Sequence, residues 1–226
     1  MKNWYLFIWP MTHLGSWPRV AVLRTGGKIS IRAFRSSDYA IFNEVAIDDV
    51  YRIAEYSNPK RIIDLGANIG VYSIVVAKMF PDATVFSLEP ERKNFETLKR
   101  NVEMSGAKNI VLVNKAVAAR SGTATLHLSV DNNGAHNLYR VMNEEKEETQ
   151  VVATAPLREF LPADVIKVDI EGAEYEIFEN EIPDSDYIVM ETHPGDKAGL
   201  LERFASKYVI SVYDLPYGPI HILKHK

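Results

Sequence analysis

The chain contains no cysteine. That excludes a disulfide framework, a thiolate nucleophile and a Cys-ligated zinc site, so any catalytic activation must come from carboxylates, histidine, water or a metal. Positive charge is not in excess either: Lys and Arg number 26 against 30 Asp and Glu, for a formal net charge of −4. Nucleic-acid binders gain affinity from clustered basic side chains that displace counterions, so no nucleic-acid partner is expected. No stretch approaches the ~20 apolar residues that a membrane-spanning helix needs, and no membrane association is expected. What is present, 226 residues of which 46% are hydrophobic and 25% charged, excludes a disordered, collagenous or coiled-coil chain. A cytoplasmic α/β domain fits that balance.

Tryptophan is absent after the opening arm, where Trp4, Trp9 and Trp17 all lie. The stretch WYLFIWPM resembles the start of a signal peptide, but Pro10 interrupts it and no small-x-small cleavage site follows. Two readings stay open for this arm. Its rings pack on the domain surface, or it forms a lid or a dimer contact in a homo-oligomer. Residues 1–38, arm plus hairpin, are expected as an extension of one domain spanning 39–226.

Residues 20–23 and 29–31 are short β-prone runs around Thr25-Gly26-Gly27-Lys28, a hairpin signal. Residues 40–56 carry an imperfect helical face that Asn58-Pro59 stops. Strands at 61–65, 84–88 and 110–113 then alternate with helices at 70–80 and 91–105. This rhythm predicts a parallel sheet with helices on both faces. Residues 123–129 and 151–155 are expected to pair as an antiparallel ribbon, with a solvated acidic turn at 144–148 between them. The alternation resumes with strands at 165–168 and 187–190 and helices at 173–179 and 197–207. Runs at 209–213 and 220–223 form a closing hairpin. The expected fold class is Rossmann-like α/β, with about seven mostly parallel strands, an antiparallel closing hairpin and a small N-terminal β extension.

The strongest local signal is IIDLGANIGVYS at 62–73. An apolar strand ends in Asp64, and a glycine turn leads into a helix near Gly70. Asn68 suits such a turn because Asn tolerates left-handed angles. The spacing Gly66-x-x-x-Gly70 departs from the G-x-G-x-x-G dinucleotide fingerprint, and no Gly-Lys-Ser/Thr follows to bind phosphate. A carboxylate at Asp64 repels a pyrophosphate and suits a cationic ligand portion. Glu89, closing the second strand, is placed to accept both ribose hydroxyls of an adenosine. An amino-acid end, a ribose end and a cationic centre together describe S-adenosyl-L-methionine. The plain alternatives are a turn former at Asp64 and a helix N-cap acid at Glu89.

Several segments then resemble one family. They are the glycine loop, Leu88-Glu89-Pro90-Glu91, Asn114-Lys115-Ala116-Val117 and, most specifically, IKVDIEGAEYEIF at 166–178. The chain resembles, over about residues 40–191, the FkbM-family methyltransferases, class I S-adenosylmethionine-dependent enzymes associated with O-methylation of sugars and natural products. The resemblance implies that Asp64, Gly66, Ala67, Asn68 and Gly70 surround the methionine portion of the cofactor. It implies Glu89 on the ribose, Pro90 beside the adenine, and Asn114 and Ala116 lining the adenine pocket. Asp169 would face the methyl-transfer centre.

Candidates to take the acceptor's proton are Asp169, Glu171, His193 and His136, while Glu191, closing the fifth strand, either contacts substrate or serves as an internal hydrogen-bond acceptor. For Glu171 the plain reading is a contact with the following helix, and for His136 a surface histidine. A metal held by Asp169, Glu171 and His193 is chemically feasible, but no metal is expected, since carboxylates two apart on a turn are common without one. The expected reaction is O-methylation of a small hydroxylated acceptor such as a sugar. The alternatives are an RNA or protein acceptor, or a non-catalytic domain that keeps the fold.

Overall fold

Short apolar runs that keep no polar face are suited to interior strands, buried on both sides of a parallel sheet. A computed structural model of the chain describes residues 19–23, 25–32, 37–128, 148–179, 182–193, 197–215 and 218–226. In chain order the elements are β1 (Arg19–Val22), β2 (Lys28–Ile31), α1 (Asp38–Asn43), β3 (Arg61–Leu65), α2 (Val71–Met79), β4 (Thr84–Leu88), α3 (Arg92–Ser105) and β5 (Ile110–Val113). They continue with β6 (Ala116–Val117), β7 (Gly122–Leu128), β8 (Glu148–Ala155), β9 (Val165–Val168), α4 (Glu174–Ile177), β10 (Tyr187–Glu191), α5 (Lys197–Ala205), β11 (Tyr208–Leu215) and β12 (Gly218–His225).

Seven strands form one sheet in the order β11-β12-β10-β9-β3-β4-β5. From β10 to β5 the neighbours are parallel. β12 runs antiparallel to both β10 and β11, as the closing hairpin requires. This is the Rossmann-like, mostly parallel α/β sheet expected. Alternation along β3 sends Ile62 to one face and Ile63 to the other, and each joins a separate core. Ile74, Val85 and Leu98 pack with Ile62, whereas Ile166, Phe178 and Phe204 pack with Ile63. Helix α2 is buried from Val71 through Ala77. α3 is amphipathic, with Leu98 and Val102 inward, and its N-cap Glu91 accepts from the backbone N–H groups of Lys93 and Asn94.

The β1–β2 hairpin forms as expected and docks on α3 through Asn101. That side chain accepts from Ser30 N at 2.8 Å and donates to Ile69 O at 2.9 Å, tying hairpin, helix and glycine loop together. β7 and β8 also pair antiparallel, in a separate three-stranded sheet with β6.

Two expectations are corrected. The helical run at 40–56 breaks after α1 into a π-turn at Glu44–Asp48 and a 3-10 turn at Ile53–Glu55, with Asp49 and Arg52 left-handed. The Asp49 carboxylate accepts from Ile53 N at 2.7 Å and Ala54 N at 3.3 Å, and such local bonds compete with helix continuation. The helix expected at 173–179 shortens to the single turn of α4. The tryptophan arm, residues 129–147 and His136 lie outside the described residues. Among the described residues no helix is long and apolar enough to cross a membrane.

Candidate active site

β3 and β9 are neighbours, yet the chain leaves them in opposite directions, to β4 and β5 on one side and to β10 on the other. Loops at the carboxyl ends of strands diverge at such a switch point and leave a crevice. A cavity of about 260 Å³ opens there. Its walls are Gly66, Ala67, Asn68 and Ile69 after β3, Glu89 and Pro90 after β4, and Lys115, Ala116 and Val117 after β5. Asp169 and Glu171 after β9, Glu191 on β10, and Glu44 and Tyr51 also line it.

The glycine loop is shaped by backbone geometry. Gly66, Asn68 and Gly70 are left-handed, with φ of +76°, +49° and +91°. A Cβ on Gly66 would fall 1.8 Å from Asp169 O, so only glycine lets the loop lie against the β9 end. Glu89, almost fully buried, holds the loop from below. Its Oε2 accepts from Asn68 N at 2.8 Å and its Oε1 from Glu91 N at 2.9 Å. Burial pushes this carboxyl up to about 7, against the pull of those two hydrogen bonds. Each oxygen keeps a further lone pair, so ribose hydroxyls fit this acceptor set.

The remaining loop candidates divide. Gly66, Ala67, Asn68, Pro90 and Ala116 line the cavity, and Asp64, Gly70 and Asn114 do not. Gly70 caps α2, its Cα packed where a Cβ would meet Leu98 Cδ1 at 2.4 Å. Asn114 donates through Nδ2 to Glu89 O at 2.8 Å and Pro90 O at 3.1 Å, fixing the segment that carries Glu89. Asp64 differs most from its expected place beside a ligand. Its carboxylate is fully buried, Ser73 Oγ donates to Oδ2 at 2.6 Å, and Lys167 Nζ lies 3.3 Å from Oδ1.

Sequence reasoning missed Lys167, as it did the lining residues Glu44 and Tyr51. Lys167 lines the cavity, donates to Gly66 O at 2.9 Å and lies 3.4 Å from Asp169 Oδ2. Burial opposes its charge, but the Asp64 and Asp169 carboxylates outweigh burial and raise its pKa, so it stays a cation. The signal that could have found it is a lysine inside the wholly buried run Val165–Val168.

Across the sheet from Glu89, two strands away from β4, the cavity turns acidic. Glu171 is left-handed (φ +54°) and precedes Gly172 (φ +104°), a turn that lifts its side chain from the strand end. Burial and the Asp169 charge push Glu171 up to about 7 and Glu191 up to about 8, although His193 opposes both. Burial and the Asp169 charge also raise Glu44. His193 lies behind this wall, with Nε2 3.1 Å from Glu171 Oε2 and Nδ1 2.7 Å from Glu174 Oε1. Ligand atoms of Asp169, Glu191 and His193 fall within 4.8 Å of one another. The His193 Nδ1 faces Glu174, its Nε2 faces Glu171, and Asp169 faces Lys167.

A family model described as the methyltransferase FkbM domain matches residues 64–209. Methyltransferase 1 of Beauveria bassiana (strain ARSEF 2860) is 28% identical over 164 residues, covering 61% of this chain and 64% of that protein. The chain thus spans less than two thirds of that relative's length. Methyltransferase sdnD of Sordaria araneosa is 26% identical over 189 residues, covering 65% of this chain and 73% of that protein. Among solved structures, precorrin-6y C5,15-methyltransferase from Geobacter metallireducens GS-15 superposes with a TM-score of 0.53 at 13% identity. That likeness covers 88% of this chain and 93% of the other, and it speaks to fold alone.

Proposed function

This chain belongs to the FkbM methyltransferase family, and from that premise we propose that it methylates a hydroxyl of a sugar or another small hydroxylated metabolite, with S-adenosylmethionine as donor. The observation that carries the proposal is a division of labour within one cavity: the buried Glu89 carboxylate under the glycine loop, with Asp169 and Glu171 two strands away and Glu191 three. When bound, S-adenosylmethionine supplies an electrophilic methyl group on a sulfonium.

The chain's own residues then have distinct tasks. Glu89 accepts ribose hydroxyls, while Asn114 holds its backbone in register. Gly66 and Ala67 leave the loop without side chains that would block close approach. Lys167 fixes Asp169 and the Gly66 carbonyl to each other, so the loop and the β9 end move as one. Glu171 takes the proton of the acceptor hydroxyl, which must lie about 3 Å from the methyl carbon and in line with the breaking bond.

Lining chemistry supports the acceptor class. Glu44, Asp169, Glu171 and Glu191 offer hydrogen-bonding oxygens to the several hydroxyls of a sugar, and a wall of acids suits neutral groups better than phosphates or carboxylates. An RNA acceptor would bring phosphates against that wall. The test is incubation with methyl-labelled S-adenosylmethionine and, separately, neutral methyl glycosides, total RNA and mixed protein. Label is expected as a methyl ether on a glycoside. Label confined to RNA or protein would replace the small-molecule assignment.

A further inference from the structure

Two charged side chains next to the cavity have no task in the reaction as described. Glu174 and His193 do not line the cavity, yet they form a continuous line from the core to Glu171, which does. Glu174 opens α4 with its side chain fully buried. Its Oε1 lies 2.7 Å from His193 Nδ1, and its Oε2 is buried with no hydrogen-bond partner among the described residues. A buried carboxylate in that position requires a neighbouring positive charge.

His193 is held to meet that need. Tyr175 donates its hydroxyl to the His193 carbonyl at 2.7 Å, anchoring the residue from the α4 side. On its far side Nε2 lies 3.1 Å from Glu171 Oε2. A neutral imidazole has one N–H and one lone pair, so one of its two carboxylate neighbours would face a lone pair. Only the imidazolium donates to both. Asp169 and Glu191 also face the ring and add negative charge, while Lys167 sits on the Asp169 side.

We propose that Glu174 and His193 are positioning residues for Glu171: the buried Glu174 carboxylate holds His193 as an imidazolium, and the imidazolium holds the Glu171 side chain toward the cavity and favours its ionised form, the base for the acceptor's proton. This rests on the methyltransferase function above. Burial and the Asp169 charge favour the protonated Glu171 carboxyl, and the His193 charge opposes them. The left-handed backbone at Glu171 is then part of the same device, since it turns the carboxylate toward His193.

The test is side-chain NMR titration of the whole protein labelled with ¹⁵N and ¹³C. His193 is assigned among the six histidines by its loss in His193→Gln. In the wild type His193 is expected to stay protonated through neutrality, with its midpoint near about 9. Glu174→Gln is expected to lower that midpoint by at least about one pH unit. Should Glu174→Gln fail to fold, Glu171→Gln, at a partly exposed residue, is expected to move the midpoint in the same direction. A wild-type midpoint near about 6.5 that neither variant moves overturns the proposal.

A second arm reads function rather than packing. Sinefungin carries a cationic amine-bearing carbon where the donor carries its methylsulfonium, and S-adenosylhomocysteine carries a neutral sulfur. Sinefungin, and not S-adenosylhomocysteine, is expected to lower the Glu171 carboxyl midpoint. Equal effects of the two ligands place Glu171 away from the reacting centre and overturn its role as base. Failure of both ligands to bind would instead overturn the cofactor assignment, with the His193 titration still readable.

Discussion

Asp64 and Lys167 stand opposite each other on β3 and β9, with Lys167 Nζ 3.3 Å from Asp64 Oδ1 and both side chains buried. Lys167 also serves Asp169, so removing it strands two carboxylates, whereas removing Asp64 leaves the lysine with Asp169 and the Gly66 carbonyl. Lys167→Met is therefore expected to cost about 3–5 kcal/mol of unfolding free energy in urea. Asp64→Asn is expected to cost less. A Lys167→Met loss under about 1 kcal/mol would show that the pair does not anchor the loop.

That pair also shows where sequence reading succeeds and where it stops. The glycine loop, Asn68 in a left-handed turn and the βαβαβ rhythm were readable because each rests on local chemistry: backbone freedom, periodicity and buried apolar runs. Lys167 was not, because its meaning lies in the register that sets it across from Asp64, more than a hundred residues earlier. For the same reason Asp64 read as a ligand-facing acid, when its partner in the fold is a lysine. The break after α1 was half-visible in Asp48-Asp49, but a carboxylate capping its own backbone is a contact that periodicity does not register. The His193 contacts join the ends of two separate strands, which only the folded sheet brings together.

The glycines separate steric need from turn strain. Gly66→Ala places a methyl group into the Asp169 carbonyl and is expected to abolish ligand binding and lower the melting temperature. Gly26→Ala, equally left-handed but with nothing within 4 Å, is expected to cost only about 1–2 kcal/mol of backbone strain. Thermal melts with and without S-adenosylhomocysteine distinguish the two. Equal effects would remove the case for close packing at Gly66.

Asn114 acts through the backbone of residues 89 and 90. Asn114→Ala loses both hydrogen bonds and is expected to weaken S-adenosylhomocysteine by roughly 5- to 10-fold, equivalent to about 1 kcal/mol. Calorimetry checks it. An unchanged affinity would mean that the Glu89 segment is held by other contacts.

Stability without ligand is expected to fall in alkali. Burial keeps protons on Glu89 and Glu171 up to about 7 and on Glu191 up to about 8, and the surrounding carboxylates keep one on His193 up to about 9 despite burial. In the unfolded chain these groups titrate near about 4.3 and 6.5. The folded protein therefore binds more protons across this window, and the support these groups give is complete below the unfolded values and lost as pH rises through the folded ones. The melting temperature is expected to be lower at about pH 9 than at about pH 6, with a smaller difference in Glu191→Gln. A rise across that window would contradict the protonation states assigned to the wall.

The central claim is that the cavity at the β3–β9 switch point seats S-adenosylmethionine through Glu89. Isothermal titration calorimetry with S-adenosylhomocysteine on the wild type and on Glu89→Ala tests it most directly. The account predicts one site per chain in the wild type and at least about a tenfold loss in the variant, the value of one charge-assisted contact of about 1.5–3 kcal/mol. No binding to the wild type at millimolar ligand, or undiminished binding to Glu89→Ala, would contradict it.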